Sequence, residues 1–93
     1  MSQTVTECLA AATDSVTLIT DINTSGSSSA HVAAGATQAE INELVQRNVD
    51  HLSTILVYTA TDSTPEIAGA ASNLKTTHVA AVSTGNAYVA ANI

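Results

Sequence analysis

Three histidines, one cysteine and many serines and threonines are the side chains here that could carry chemistry. Zinc on a helix needs histidine pairs at i, i+4, or Cys/His pairs at short spacing. His31, His51 and His78 are each isolated, and no cysteine lies near them in sequence. A metal site would need all three to converge through tertiary structure, so no metal and no other cofactor is expected. Cys8 has no neighbouring lysine or arginine to lower its pKa, and it reads as a small core residue rather than a reactive thiol. The hydroxyl side chains include no G-x-S-x-G elbow. Glu40 with Glu43, and Asp62 with Glu66, are close carboxylate pairs, but their places suit helix N-terminal electrostatics. An acid–base pair would need a concave, partly apolar setting, and nothing in the pattern predicts one. Gly26-Ser27-Ser28-Ser29 has the glycine content of a phosphate loop without its G-x-x-x-x-G-K or a nearby lysine. The chain is therefore expected not to be an enzyme and to have no small-molecule substrate.

Composition narrows the remaining classes. The chain has 93 residues, enough for a single domain spanning 1–93. It is 45% hydrophobic, yet it has no Phe or Trp, so alanine rather than large side chains fills much of that share. Burial energy scales with apolar area, so such a chain gains little per residue and is expected to draw stability from association. Net charge is −6, with Arg47 and Lys75 the only basic residues. Phosphate contacts need clustered Lys and Arg, so no nucleic-acid partner is expected, and an anionic membrane surface is disfavoured for the same reason. No apolar run is long enough to span a bilayer, and no signal peptide is read at the N-terminus. Asn23-Thr24-Ser25 matches a glycosylation sequon, read as accidental without export signals. With a single cysteine no intrachain disulfide forms. The expected location is cytoplasmic, or a virion if the chain is phage-encoded.

The elements that must position these residues are helical. Thr37 to Thr61 is the clearest. Thr37 and Glu40 form a T-x-x-E capping box, and Ile41, Leu44, Val45, Val49, Leu52, Ile55 and Leu56 then fall on one stripe. Glu43, Arg47 and Asp50 lie opposite, with Arg47 in reach of both acids. At 1.5 Å per residue this helix is roughly 37 Å long, against a radius of gyration of about 12 Å for a compact chain of this size. It should run end to end through the molecule.

A first helix is expected over about 4–22, with Thr4 and Glu7 repeating the capping spacing and Val5, Leu9, Ala12, Val16 and Ile19 forming a heptad seam. Ser15 to Ile22 is β-branched enough to read as a strand instead. Residues 23–36 read as a flexible Ser/Gly loop, with His31 and Val32 tucked against the bundle. Pro65 suits a first helical position, and Ser63 with Glu66 gives a third capping box. The third helix is expected over 65–82 with its seam at Ile67, Ala71, Leu74, His78 and Ala81 or Val82. Gly85 is either its C-cap or a weak point in a longer helix. Residues 78–93 also admit a hairpin, and the apolar tail ending Tyr88-Val89-Ala90-Ala91-Asn92-Ile93 should dock on its own core or on another chain. The fold class is thus all-α, a three-helix antiparallel bundle. Asn48 and His78 are polar residues on apolar seams, where a buried hydrogen-bonded pair would fix register.

Gln46-Arg47-Asn48-Val49-Asp50-His51-Leu52 resembles a segment of small accessory proteins of tailed-phage particles. The acidic, Ala/Thr/Ser-rich helical style is similar too. The resemblance covers about seven residues plus composition, and it implies a virion structural or assembly subunit with no functional residue carried over. The residues read the same way: a non-enzymatic subunit that self-associates, or docks into a larger particle, through alanine-rich helix faces. Its protein partners would be met at Asn48, His78, Tyr88, Val89 and Ile93. The alternative is a small acidic, monomeric binding or regulatory module.

Overall fold

The computed structural model describes residues 5–61 and 65–93, with side chains described at 7, 9–56 and 76–93. Three helices account for most of it: α1 (Val5–Ser25), α2 (Gln38–Thr61) and α3 (Pro65–Ala91), with a 3-10 turn at Gly26–Ser28. No strand occurs among the described residues. All three helix pairs pack on one another, in a bundle of 42 × 26 × 16 Å with a radius of gyration of 13.9 Å. The longest helix is α3, whose 27 residues span about 40 Å at helical rise, against about 36 Å for the 24 residues of α2.

The expected capping box opens α2. The Thr37 backbone N–H donates to Glu40 Oε1 at 2.9 Å, and the Glu40 N–H donates to Thr37 Oγ1 at 3.1 Å. Those bonds, the Thr37 N–H first, hold the Glu40 carboxyl below the usual carboxylate range. Replacing Thr37 by alanine should cost about 1 kcal/mol, and urea unfolding matching the parent would show that the cap contributes nothing. The boxes at Thr4–Glu7 and Ser63–Glu66, and the seam positions Ile67, Ala71 and Leu74, lie outside the described residues or side chains. α3 does begin at Pro65.

The β-branched Ser15–Ile22 stretch is helix, and α1 continues past Ile22 to Ser25. Its threonines spend their hydroxyls inside the helix. Thr13, Thr17 and Thr24 each donate to the carbonyl four residues back at 3.1 Å, so their hydroxyls are satisfied without interrupting the helix. The helix stops only at Gly26, whose φ of +56° is a left-handed conformation that glycine adopts without strain. Its buried seam is Ala12, Ser15, Ile19 and Ile22, rotated from the expected one, so that Ser15 is buried and Val16 only half-buried.

The third helix does not end at Val82. It runs through Ser83-Thr84-Gly85-Asn86 to Ala91, and Gly85 faces inward, buried against α1 and α2. A Cβ there would lie 3.3 Å from Val45 Cγ1 and 3.4 Å from Ile19 Cγ2, and would overlap Val49 Cγ2. Of the two readings of this glycine, the structure shows the longer helix and not a C-cap, and no hairpin forms. The core is Ala12, Ile19, Ile22, Ile41, Val45, Val49, Leu52, Ile55 and Ala81. Residues 26–37 are not a free linker either. Three backbone bonds stitch them together (Ser29 N–H to Gly26 O, Val32 N–H to Ser29 O, Ala36 N–H to Ala33 O), and Val32 and Ala36 pack against the core.

Candidate functional site

Four features carry the polar and exposed apolar groups. The first joins α1 to α2. Buried Ser15 donates through Oγ to Asn48 Oδ1 at 2.9 Å and sits 3.0 Å from His51 Nδ1. The serine has one proton and gives it to Asn48, so His51 Nδ1 must carry a proton of its own to reach it. Asn48 Nδ2 donates to the Leu44 carbonyl at 2.8 Å, one turn back. Asn48 is therefore satisfied across the α1–α2 interface, and it is not paired with His78. The expected Asn48–His78 pair does not form: Asn48 is engaged with Ser15 and the Leu44 carbonyl, and neither His78 nitrogen has a partner. The signal available in the sequence was Ser15 itself, three residues from Ala12 on the seam.

The second feature closes the loop onto α1. Ser29 Oγ donates to Asp21 Oδ2 in a short hydrogen bond, and His31 Nδ1 lies 3.1 Å from the same oxygen. The His31 backbone N–H donates to Ser29 Oγ at 3.1 Å. Ser29, His31 and the Ala30 backbone hold the Asp21 carboxyl below its usual range, the Ser29 bond first. That contribution is present above the ordinary aspartate value and is lost as pH falls through the lowered one. An Asp, a Ser and a His in one place invite a triad reading, but the geometry differs. A triad passes the serine proton to histidine and sets aspartate behind the ring. Here serine and histidine both converge on one aspartate oxygen, so the serine is an acid-facing donor and the cluster is a clasp that orders the loop.

The third feature is His78. It is 2% exposed, and neither ring nitrogen has a hydrogen-bond partner. Burial pushes its pKa below the ordinary histidine value. His31, His51 and His78 sit in three different settings, and no group of three or more His, Cys, Asp or Glu that could hold a metal occurs among the described residues. The side chain of Cys8 lies outside the described ones.

The fourth feature is the outer face of α3. Its inner face takes up much of the expected tail. Tyr88 and Val89 pack against the core, and Tyr88 Oη accepts from Gln38 Nε2 at 3.1 Å. Asn42 Nδ2 donates to the Asn92 carbonyl at 3.1 Å, and Asn92 Nδ2 donates to the Tyr88 carbonyl at 2.8 Å. These two amides cap the end of α3 and tie it to the start of α2. Of the five residues expected to meet partners, Asn48, His78, Tyr88 and Val89 are thus engaged within or between the three helices, and only Ile93, 99% exposed, faces solvent. Val79, which the seam analysis passed over, is 57% exposed on α3. Around it Thr76, Ala80, Ser83, Ala87, Ala90 and Ala91 are also exposed. No Asp, Glu, Lys or Arg occurs from 76 to 93. The outer faces of α1 and α2, by contrast, carry Glu7, Asp14, Glu43, Arg47 and Asp50. Arg47 forms no ion pair among the described residues; Asp50 Oδ1 accepts instead from Gln46 Nε2 at 3.0 Å.

No helix among the described residues is long and apolar enough to cross a membrane. Comparison with protein-family models, curated sequences and solved structures gives no match.

Proposed function

We propose that this chain is a non-enzymatic structural or assembly subunit that associates with itself, or docks into a larger particle, through the outward face of α3. One observation carries the reading: on a chain of net charge −6, the exposed surface of residues 76–93 holds no charged side chain and displays Val79 and Ile93. Two acidic copies repel over most of their surface, and the neutral face is where they approach at least electrostatic cost. Small side chains there let a partner helix come close, which recovers packing contact. The resemblance of Gln46–Leu52 to accessory proteins of tailed-phage particles fits this role and suggests a virion as the particle, with the cytoplasm as the place of assembly. No cofactor and no nucleic acid enter the proposal.

The second reading is a small acidic, monomeric binding or regulatory module. The observation in its favour is that the bundle covers its own apolar stripes, with Tyr88 and Val89 turned inward. Sedimentation equilibrium across a hundredfold dilution separates the two. Self-association predicts a mass above 9.4 kDa that falls on dilution, and Val79→Glu should hold the chain at 9.4 kDa throughout. A parent mass of 9.4 kDa at every concentration would move the assignment to the monomeric module.

A further inference from the structure

Among the described residues, His78 is the buried ionisable group with no hydrogen-bond partner. It lies seven residues before Gly85, two turns back on the same face of α3. Gly85 meets Ile19 of α1 and Val45 and Val49 of α2. Carrying the same register back two turns sets His78 level with Ala12 on α1 and with Leu52 and Leu56 on α2. Ala12 and Leu52 are fully buried, and the small alanine leaves room for an imidazole ring. By that register the ring is level with the buried apolar Ala12 and Leu52, and neither of its nitrogens has a partner. A neutral ring in that place leaves one N–H unmet, whereas a charged ring leaves two and adds an unpaired charge.

We propose that His78 is an acid-sensitive latch on α3: its protonation releases the helix from the α1–α2 pair. Among the described side chains, the groups that could offset the new charge are placed elsewhere. On α1, Glu7 and Asp14 are exposed. On α2, Arg47 and Asp50 are exposed, and half-buried His51 is engaged with Ser15. Burial alone depresses the His78 pKa, with no contribution from a neighbouring charge. On α3 itself, the side chains of Glu66 and Lys75 lie outside the described ones. The direction of the effect follows from linkage. With the folded value below the ordinary 6.5, the unfolded chain binds the proton more readily in acid. The neutral ring's contribution is fully present above that ordinary value and is lost as pH falls below it, by up to about tenfold in the folding equilibrium per pH unit.

The test is proton-coupled unfolding of the full chain, read by urea titration at a fixed concentration between pH 8 and pH 5. The parent should lose stability through this window. His78→Leu should flatten the profile, while His31→Gln and His51→Gln should keep the loss. Amide exchange at the acid end should quicken in α3 before α1 and α2. The inference is overturned if His78→Leu keeps the parent's slope, or if the slope disappears in His51→Gln instead. Should the leucine variant not fold, ring-proton NMR of the parent decides. A His78 ring that stays neutral until α3 opens supports the latch, and one that titrates near 6.5 inside an intact bundle ends it.

Discussion

Leucine at position 85 should leave no folded bundle. Position 85 is buried at the meeting point of all three helices, and even a Cβ there would overlap Val49 Cγ2 while pressing on Val45 and Ile19. Val49 is β-branched and stiff at χ1, so it cannot swing aside without entering another neighbour. Overpacking a tight core typically costs about 1–3 kcal/mol for added methylenes, and leucine adds four carbons where none fits. A domain of this size holds only about 5–15 kcal/mol in total. Alanine is the graded version. It gains about 1 kcal/mol of helix propensity over glycine and loses it to the clash, so the net effect should be destabilising. In a Val49→Ala background the space opens, and the same Gly85→Ala change should then stabilise. That sign reversal, measured as a double-mutant cycle by urea unfolding, is the diagnostic result. A Gly85→Leu chain with the parent's circular dichroism and unfolding midpoint would mean that α3 does not pack through this residue.

Leu52→Ala should be the most costly truncation in the core, at about 2–5 kcal/mol. Leu52 is 0% exposed and lies in the middle of α2, the helix in contact with both others along its length. The loss has two parts: the transfer energy of the removed carbons and the cavity left behind. The chain has no Phe or Trp that could slump into the space. A loss of this size lowers the melting temperature by roughly 10 °C or more in a domain under 100 residues. A shift equivalent to well under about 1 kcal/mol would place Leu52 on an open face and undo the bundle as described.

The α2 stripe and its Thr37–Glu40 cap were legible because two independent signals, apolar period and capping chemistry, agreed over the same residues. Pro65 as a helix start was legible because its fixed φ suits the first helical position. The end of α3 was not. Gly85 carries opposite meanings at a C-cap and at a close helix crossing, and only the neighbouring Val45, Val49 and Ile19 decide between them. Ser15 was missed because a hydroxyl on a heptad seam looks like a break in the pattern until its partners, 33 and 36 residues away, are known. His78 was placed on the correct face of α3, but its partnerless state depends on what the other two helices present to it. Val79 stood out only by exposure, which periodicity alone assigns to any outward residue.

The Asp21–Ser29–His31 clasp has a consequence in time. Its bonds span 8 and 10 residues, so the turn after α1 can order as soon as it exists. The pairing of α1 with α3 at Ile19 and Gly85 spans far more chain, and contacts that distant form late. During synthesis from the N-terminus at about 5–20 residues per second, α1 and α2 can pair for a few seconds before Gly85 emerges. For that interval the Val45–Val49 side of α2 has no cover. The chain therefore passes through a two-helix stage with an open apolar groove shaped for an α3, and whichever α3 arrives first, its own or that of a neighbouring chain, will fill it.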